Sequence, residues 1–293
     1  MKENFTPLGL GTSTIASLGR SLTFNSAKKL FDTALDYNIK TIDTSNTYGS
    51  GDAERLIGKI IKDKRNDTFI ISKVGMPYLS LPAFLSPFNQ IGKKILQNFK
   101  IKKCYKKEYI LSNIEKSLRR LNINNLDGYL LHDIFLEDFY EYKDECFEAL
   151  YLIKKKGLSK FIGISSNDYE LLNKNLKNIS IDLVQTNMIF KKKNIELLRE
   201  LKKRGYKLIV NSIFSKKIDT NIDFKINQVI EKFDVPYNDK KNILINYCIK
   251  KNEVDCALFR TTNIDHLKII GKSYTKYENN FSELFNELDY LFL

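Results

Sequence analysis

Residues 41–61 read TIDTSNTYGSGDAERLIGKII and change character halfway along. The first residues form a short apolar run that ends in a carboxylate, Asp43. The last ones place Ala53, Leu56, Ile57, Ile60 and Ile61 at i, i+3, i+4, i+7 and i+8, the period of a helix with one buried face. Between them lie a phenol, Tyr48, and a Gly-Ser-Gly turn. Asp52 is expected to be the helix N-cap, accepting from the orphan backbone amides of the first turn. The stretch is therefore a β-strand running into an α-helix, with an acid and a tyrosine at the junction.

The same unit recurs. Short, mostly continuous apolar runs predict strands at 8–12 (LGLGT), 41–45, 69–74 (FIISKV), 127–132 (DGYLLH), 161–166 (FIGISS), 183–188 (LVQTNM), 207–213 (KLIVNSI) and 256–261 (CALFRT). Such runs suit parallel strands covered on both faces. Helix periodicity follows at 27–37, 110–121, 146–156, 169–177, 195–204 and 240–251, and Gly157 and Gly205 stand where C-terminal caps fall. Eight strands, each trailed by a helix, predict a single-domain (β/α)8 barrel, a TIM barrel. The rival is an open doubly wound sheet, against which GLGTST lacks the third glycine of a dinucleotide fingerprint.

Two segments interrupt the rhythm. Residues 77–107 predict a long inserted loop after the third strand, with Pro77, Pro82 and Pro87, a basic stretch and a short helix near 91–99. Its Tyr78, Phe84, Phe88 and lysines would shape a pocket for a large or anionic substrate. The second segment, 221–237, carries helical periodicity from 227 to 233.

Bulk composition excludes several classes. The chain has 293 residues, 43% hydrophobic and 28% charged, ample for a globular core. No apolar run approaches the roughly 18–20 residues of a membrane span, and MKENFTPLGLGT lacks a signal-peptide core, so no membrane partner is expected. The four cysteines show no CxxC spacing, which suits a reducing cytoplasm. With only His132 and His266, a His-rich metal site is excluded and no metal is expected. The net charge of +13 fits either an anionic partner or lysines solvating helices. Basic runs such as KKCYKK are not interleaved with stacking aromatics, so no nucleic acid partner is expected.

In a barrel, chemistry sits at the C-terminal ends of the strands. Asp43 ends the second, Tyr48 lies in the loop beyond it, Lys73 ends the third and His132 the fourth. Taken singly, each has an ordinary structural use: a turn acceptor, a packed aromatic, a snorkelling lysine, a hydrogen-bonded core histidine. Neighbouring strands lie about 4.8 Å apart, so the four can converge, and together they form a proton-transfer device.

The motifs GLGT, IDTSNTYGSGDAERLIG, ISKVG, SLRRLNINNLDGYLLHD, KKKGLSKFIGISS and DLVQTN run in order from residue 8 to about 187, and the chain resembles the aldo-keto reductases. The resemblance implies a (β/α)8 barrel that uses NADP(H), or NAD(H), to interconvert a carbonyl and an alcohol. Tyr48 would be the general acid, with its pKa lowered by Lys73; Asp43 would hold Lys73, and His132 would orient the small-molecule carbonyl substrate. Cofactor contacts would come from Gly11, Thr12, Asp43, Ser165, Gln185, Asn211, Ser212, Arg260 and Thr261, with His266 a further contact and a helix start near 264 beside the phosphates. Arg260 favours NADP through guanidinium–phosphate pairing. There are departures from the family pattern. Asn211 stands where a stacking tyrosine is usual, Ser166 precedes Asn167 where an asparagine follows the serine, and Ile270 replaces an asparagine. The N-terminal segment is too short for a full barrel-plugging hairpin, so the C-terminal ELFNELDYLFL is expected to cover the barrel bottom or lie on its wall. The alternatives are a nicotinamide-binding regulatory or redox-sensing subunit with little turnover, and an aldolase-type barrel with a Schiff base on Lys73.

Overall fold

Parity along each strand decides what faces the barrel axis. A computed structural model describes residues 5–16, 21–78, 102–177, 179–213, 218–251, 254–276 and 281–292. The expected helix near 91–99, with Pro82, Phe84, Pro87 and Phe88, lies outside the described residues. Strands β1 (Leu8–Gly11), β2 (Thr41–Asp43), β3 (Phe69–Val74), β4 (Leu126–His132), β5 (Ser159–Ser165), β6 (Leu183–Asn187), β7 (Lys207–Asn211) and β8 (Cys256–Phe259) pair in parallel and in sequence order. Pairing of Leu8 with Ala257 and Leu10 with Phe259 closes the barrel. The fold is the (β/α)8 barrel that the alternation predicts.

Phe69, Ile71, Leu130, Leu183, Ile209, Cys256 and Leu258 form one apolar cluster inside the barrel, apart from the larger core between strands and helices. Side chains alternate faces along a strand. Two residues beyond Ile71 comes Lys73, beyond Leu130 His132, beyond Leu183 Gln185 and beyond Ile209 Asn211. The inward face of each strand thus turns polar at its C-terminal end.

Helices α1 (Phe24–Asp36), α2 (Asp52–Ile61), α3 (Lys107–Leu121), α4 (Leu136–Lys155), α5 (Lys192–Lys203), α6 (Thr220–Lys232), α7 (Lys240–Lys251), α8 (Ile264–Lys276) and α9 (Ser282–Phe292) follow. Three expectations change. The N-cap of α2 is Gly51, at φ 93°, while Asp52 is the first helical residue and pairs with Arg55 at 2.6 Å. Helix α4 begins at Leu136 instead of near residue 146. Residues 169–177 hold a helix over 169–175 that is α-helical at Tyr169 and Glu170 and π-helical over Leu171–Asn175.

The other end of the barrel is stitched by acids. Asp127 accepts from the Ile70 amide at 2.8 Å, Asp182 from Ile162 at 2.9 Å and Asp255 from Leu208 at 2.7 Å. Each carboxylate, at or just before an even-numbered strand, satisfies an amide near the start of the odd-numbered strand beside it. Arg65, Lys154 and Lys202 neutralise them. Phe5 and Phe161 pack beneath the inner cluster, with the Lys207 ammonium over both rings. Helix α9 lies on the barrel wall against α6 and α7, the second of its two expected places, and Asp289 ties it to Arg199 and Tyr247.

Cys146, Cys248 and Cys256 are buried and Cys104 half-buried, all four unpaired. The Cys104 amide donates to Gly75 O at 2.9 Å and so draws together the two ends of the connection after β3. Among the described residues no helix is long and apolar enough to cross a membrane.

Candidate active site

At the C-terminal mouth of the barrel lies a cavity of about 520 Å³. Asp43, Tyr48, Lys73 and His132 all line it, as do Gly11, Ser165, Gln185, Asn211, Ser212 and Arg260. Thr12 and Thr261 do not. The Thr12 amide and hydroxyl both donate to the Asp43 carbonyl at 2.9 Å, so Thr12 fastens β1 to β2. The Thr261 hydroxyl bonds Asn263 in the turn before α8.

Lys73 is the buried cation at the centre. Its Nζ lies 2.6 Å from Asp43 Oδ1 and donates to Thr44 O at 2.9 Å. Burial works against the ammonium, but the Asp43 carboxylate and the Tyr48 phenol outweigh it and hold Lys73 above its ordinary pKa. Asp43 also accepts from Gln185 Nε2 at 3.1 Å, a bond that crosses the barrel from β6 to β2.

Tyr48 sits 5.2 Å from Lys73 Nζ, measured to the ring centroid, so the ammonium's charge acts on the phenol. Burial raises the phenol pKa and Lys73 opposes it, with a net shift upward. The expected lowering of the tyrosine pKa by Lys73 is real as a contribution but loses to desolvation. The turn carrying Tyr48 is confined: Gly49, Ser50 and Gly51 all have positive φ, and a Cβ on Gly49 would come within 2.6 Å of Ala16 O. The Tyr48 and His132 rings meet edge to face, centroids 5.9 Å apart. Ser45, which sequence reasoning left without a role, lies 3.0 Å from His132 Nδ1 and fixes the imidazole.

Two acceptors in the cavity walls are buried and unpaired, Gln185 Oε1 and Asn211 Oδ1. Buried polar atoms are nearly always satisfied, so both await a donor. Arg260 is exposed at the rim, with its guanidinium 3.5 Å from Ser13 Oγ. Helix α8 starts where expected, but Asn263 Oδ1 already accepts from the first-turn amides of Asp265 and His266. Sequence reasoning also passed over Asp133, which lines the cavity next to His132.

Comparison with known proteins agrees with the fold. Over 182 residues the chain is 26% identical to a D-threo-aldose 1-dehydrogenase from Pseudomonas sp, covering 60% of this chain and 55% of the relative. It is 29% identical over 144 residues to an uncharacterized oxidoreductase of Bacillus subtilis, covering 48% and 40%. The chain thus spans about half the length of these curated relatives. The holo form of an aldo-keto reductase from Bacillus halodurans superposes with a TM-score of 0.76 at 20% identity, over 98% of this chain and 92% of that one, a likeness of fold. Residues 7–274 match the family model described as Aldo/keto reductase family. That match spans all eight strands and the cavity they surround, and the chain belongs to the aldo/keto reductase family.

Proposed function

We propose that the cavity interconverts a small carbonyl compound and its alcohol with NADP(H), with Tyr48 as the proton donor. The observation that carries this reading is the buried Lys73–Asp43 ion pair with the Tyr48 ring 5.2 Å from the ammonium and His132 edge-on to the phenol. The unpaired Gln185 Oε1 and Asn211 Oδ1 fit a carboxamide, whose NH2 group carries two donors. Gln185, Asn211 and Ser165 would hold the nicotinamide end, and Arg260 with Ser13 the adenosine phosphate at the rim. When bound, the reduced nicotinamide supplies the hydride.

The protein's own part is to place a proton. Tyr48 donates from its hydroxyl to the carbonyl oxygen, and the phenolate left behind is stabilised by the Lys73 ammonium. Asp43 keeps that ammonium charged in a buried site and fixes its position. A Ser45 hydroxyl that donates to Nδ1 would leave the His132 proton on Nε2, from which it would be donated to the substrate oxygen. The upward shift at Tyr48 suits a group that must be protonated at neutral pH when it acts. A reducing cytoplasm is the setting we propose.

Mixing the protein with NADPH, and separately NADH, and a panel of neutral aldehydes tests this directly by loss of absorbance at the reduced-cofactor band. Absence of turnover with every member overturns the reading. One observation favours the regulatory alternative: Asn211, half-buried and polar, gives no aromatic face for the nicotinamide to stack on. Tight NADPH binding without turnover would mark that case.

A further inference from the structure

Asp133 follows His132 directly and leaves β4 with a left-handed φ of 53°. Aspartate tolerates that conformation better than most residues. The backbone around it is clamped on both sides. The Tyr105 hydroxyl donates to His132 O at 2.7 Å, Lys103 Nζ to Asp133 O at 2.5 Å, and the Ile134 amide to Ser165 O at 3.2 Å. The Ser166 hydroxyl donates to Ile134 O at 2.6 Å. The residue therefore has little freedom to swing away.

Asp133 lines the same cavity as Tyr48, Lys73 and His132, half-buried, with its carboxylate within electrostatic reach of Tyr48 and Lys73. Among the described residues no hydrogen bond or ion pair reaches that carboxylate. Lys73 is committed to Asp43, and Lys103 to the Asp133 carbonyl and to Asp138. No ion pair among the described residues closes on the acid, and burial pushes its pKa up against the pull of the Lys73 and Lys103 charges. A fixed, unshared carboxylate beside the proton donor has two effects on a ligand. It accepts from hydroxyl groups, and it opposes a second negative charge.

Building on the reductase reading above, we infer that Asp133 is a specificity-determining residue that favours carbonyl substrates bearing a neighbouring hydroxyl and rejects those bearing a neighbouring carboxylate. This cavity wall selects hydroxyaldehydes, small sugars among them, over oxo acids.

The test compares kcat/KM for glycolaldehyde, propanal and glyoxylate in the wild type, Asp133→Asn and Asp133→Gly. Both replacements suit a left-handed backbone, so the turn survives. Relative to propanal, glyoxylate should gain about tenfold in both variants, the size of one like-charge contact in a half-buried site. The preference for glycolaldehyde over propanal should shrink, more in Asp133→Gly than in Asp133→Asn, which keeps an acceptor. Near-UV circular dichroism and NADPH binding by fluorescence confirm the fold of each variant. If both ratios stay within about twofold of wild type, Asp133 discriminates nothing and the inference falls. A neutral aromatic aldehyde, 4-nitrobenzaldehyde, separates the two levels. Its reduction with unmoved ratios overturns this inference alone; absence of any turnover overturns the reductase reading and this inference with it.

Discussion

Gln185 on β6 and Lys73 on β3 meet at one oxygen: Asp43 Oδ1 takes the ammonium at 2.6 Å and the side-chain amide at 3.1 Å. The acid therefore couples the proton-donating side of the cavity to the side proposed for the nicotinamide. It also fixes which way the Gln185 amide points, since Nε2 is spent on Asp43 and Oε1 is left facing a donor that must come from elsewhere. The consequences of this arrangement can be measured.

Tyr48→Phe removes one oxygen and keeps the ring against His132. Carbonyl reduction should fall by about 10²–10⁴-fold, the range of a single positioned proton donor, while NADPH binding followed by fluorescence stays close to wild type. Turnover near the wild-type rate would assign the proton to another group.

Lys73→Met leaves Asp43 buried with only the Gln185 amide beside it. Removing one partner of a buried pair costs about 3–5 kcal/mol, which urea unfolding should register. Adding Asp43→Asn to that variant should return much of the stability without returning activity. Recovery of both would mean that Lys73 matters only for folding.

Arg260→Ala should raise the KM for NADPH by about tenfold or more, since a hydrogen bond to a charged group contributes about 1.5–3 kcal/mol. The KM for NADH should barely move. Equal effects on the two cofactors would remove Arg260 from the proposed phosphate contact.

Asp133 has a folded-state pKa above its unfolded value because burial disfavours its charge. Between those two values the native state binds more protons than the unfolded state, so stability falls as pH rises through the window. Above it the carboxylate weakens the fold by a constant amount. Asp133→Asn should therefore melt at a higher temperature than wild type at neutral pH, and the difference should vanish once the pH drops below the ordinary carboxylate value of 3.8. A gain that persists in acid would trace to something other than charge.

Asp182→Ala unties the Ile162 amide at the barrel's opposite end and strands Lys154. A loss of about 1–3 kcal/mol is expected, with kinetics unchanged because the cavity lies at the other end of the strands. Thermal melts and steady-state rates separate the two.

Strand parity made much of this site readable in advance. Once Ile71 and Leu130 are assigned inward, Lys73 and His132 must follow them, and Asp43 and Gln185 lie toward the C-terminal ends of strands on opposite sides of the same closed sheet. Contacts between distant parts of the chain were not readable. Ser45 and His132 are 87 residues apart, and nothing local in either marks the pairing. Asp127, Asp182 and Asp255 look like ordinary strand-entry acids until the register shows each one facing an amide of the preceding strand. The direction of the Tyr48 shift was hidden for another reason. It is the outcome of burial against a nearby cation, and sequence reports the cation but not the burial. Helix α4 was cut short because its first turns carry exposed aromatics such as Tyr140 that blur the apolar face.

The cysteines have a practical consequence. Cys146, Cys248 and Cys256 are sealed inside, and burial raises each thiol well above its ordinary range, so all three stay protonated and slow toward electrophiles. A maleimide dye should therefore attach at Cys104, at the neck of the insertion after β3 and one hydrogen bond from Gly75. The native chain carries its own attachment point for a fluorophore, on the segment that enters α3.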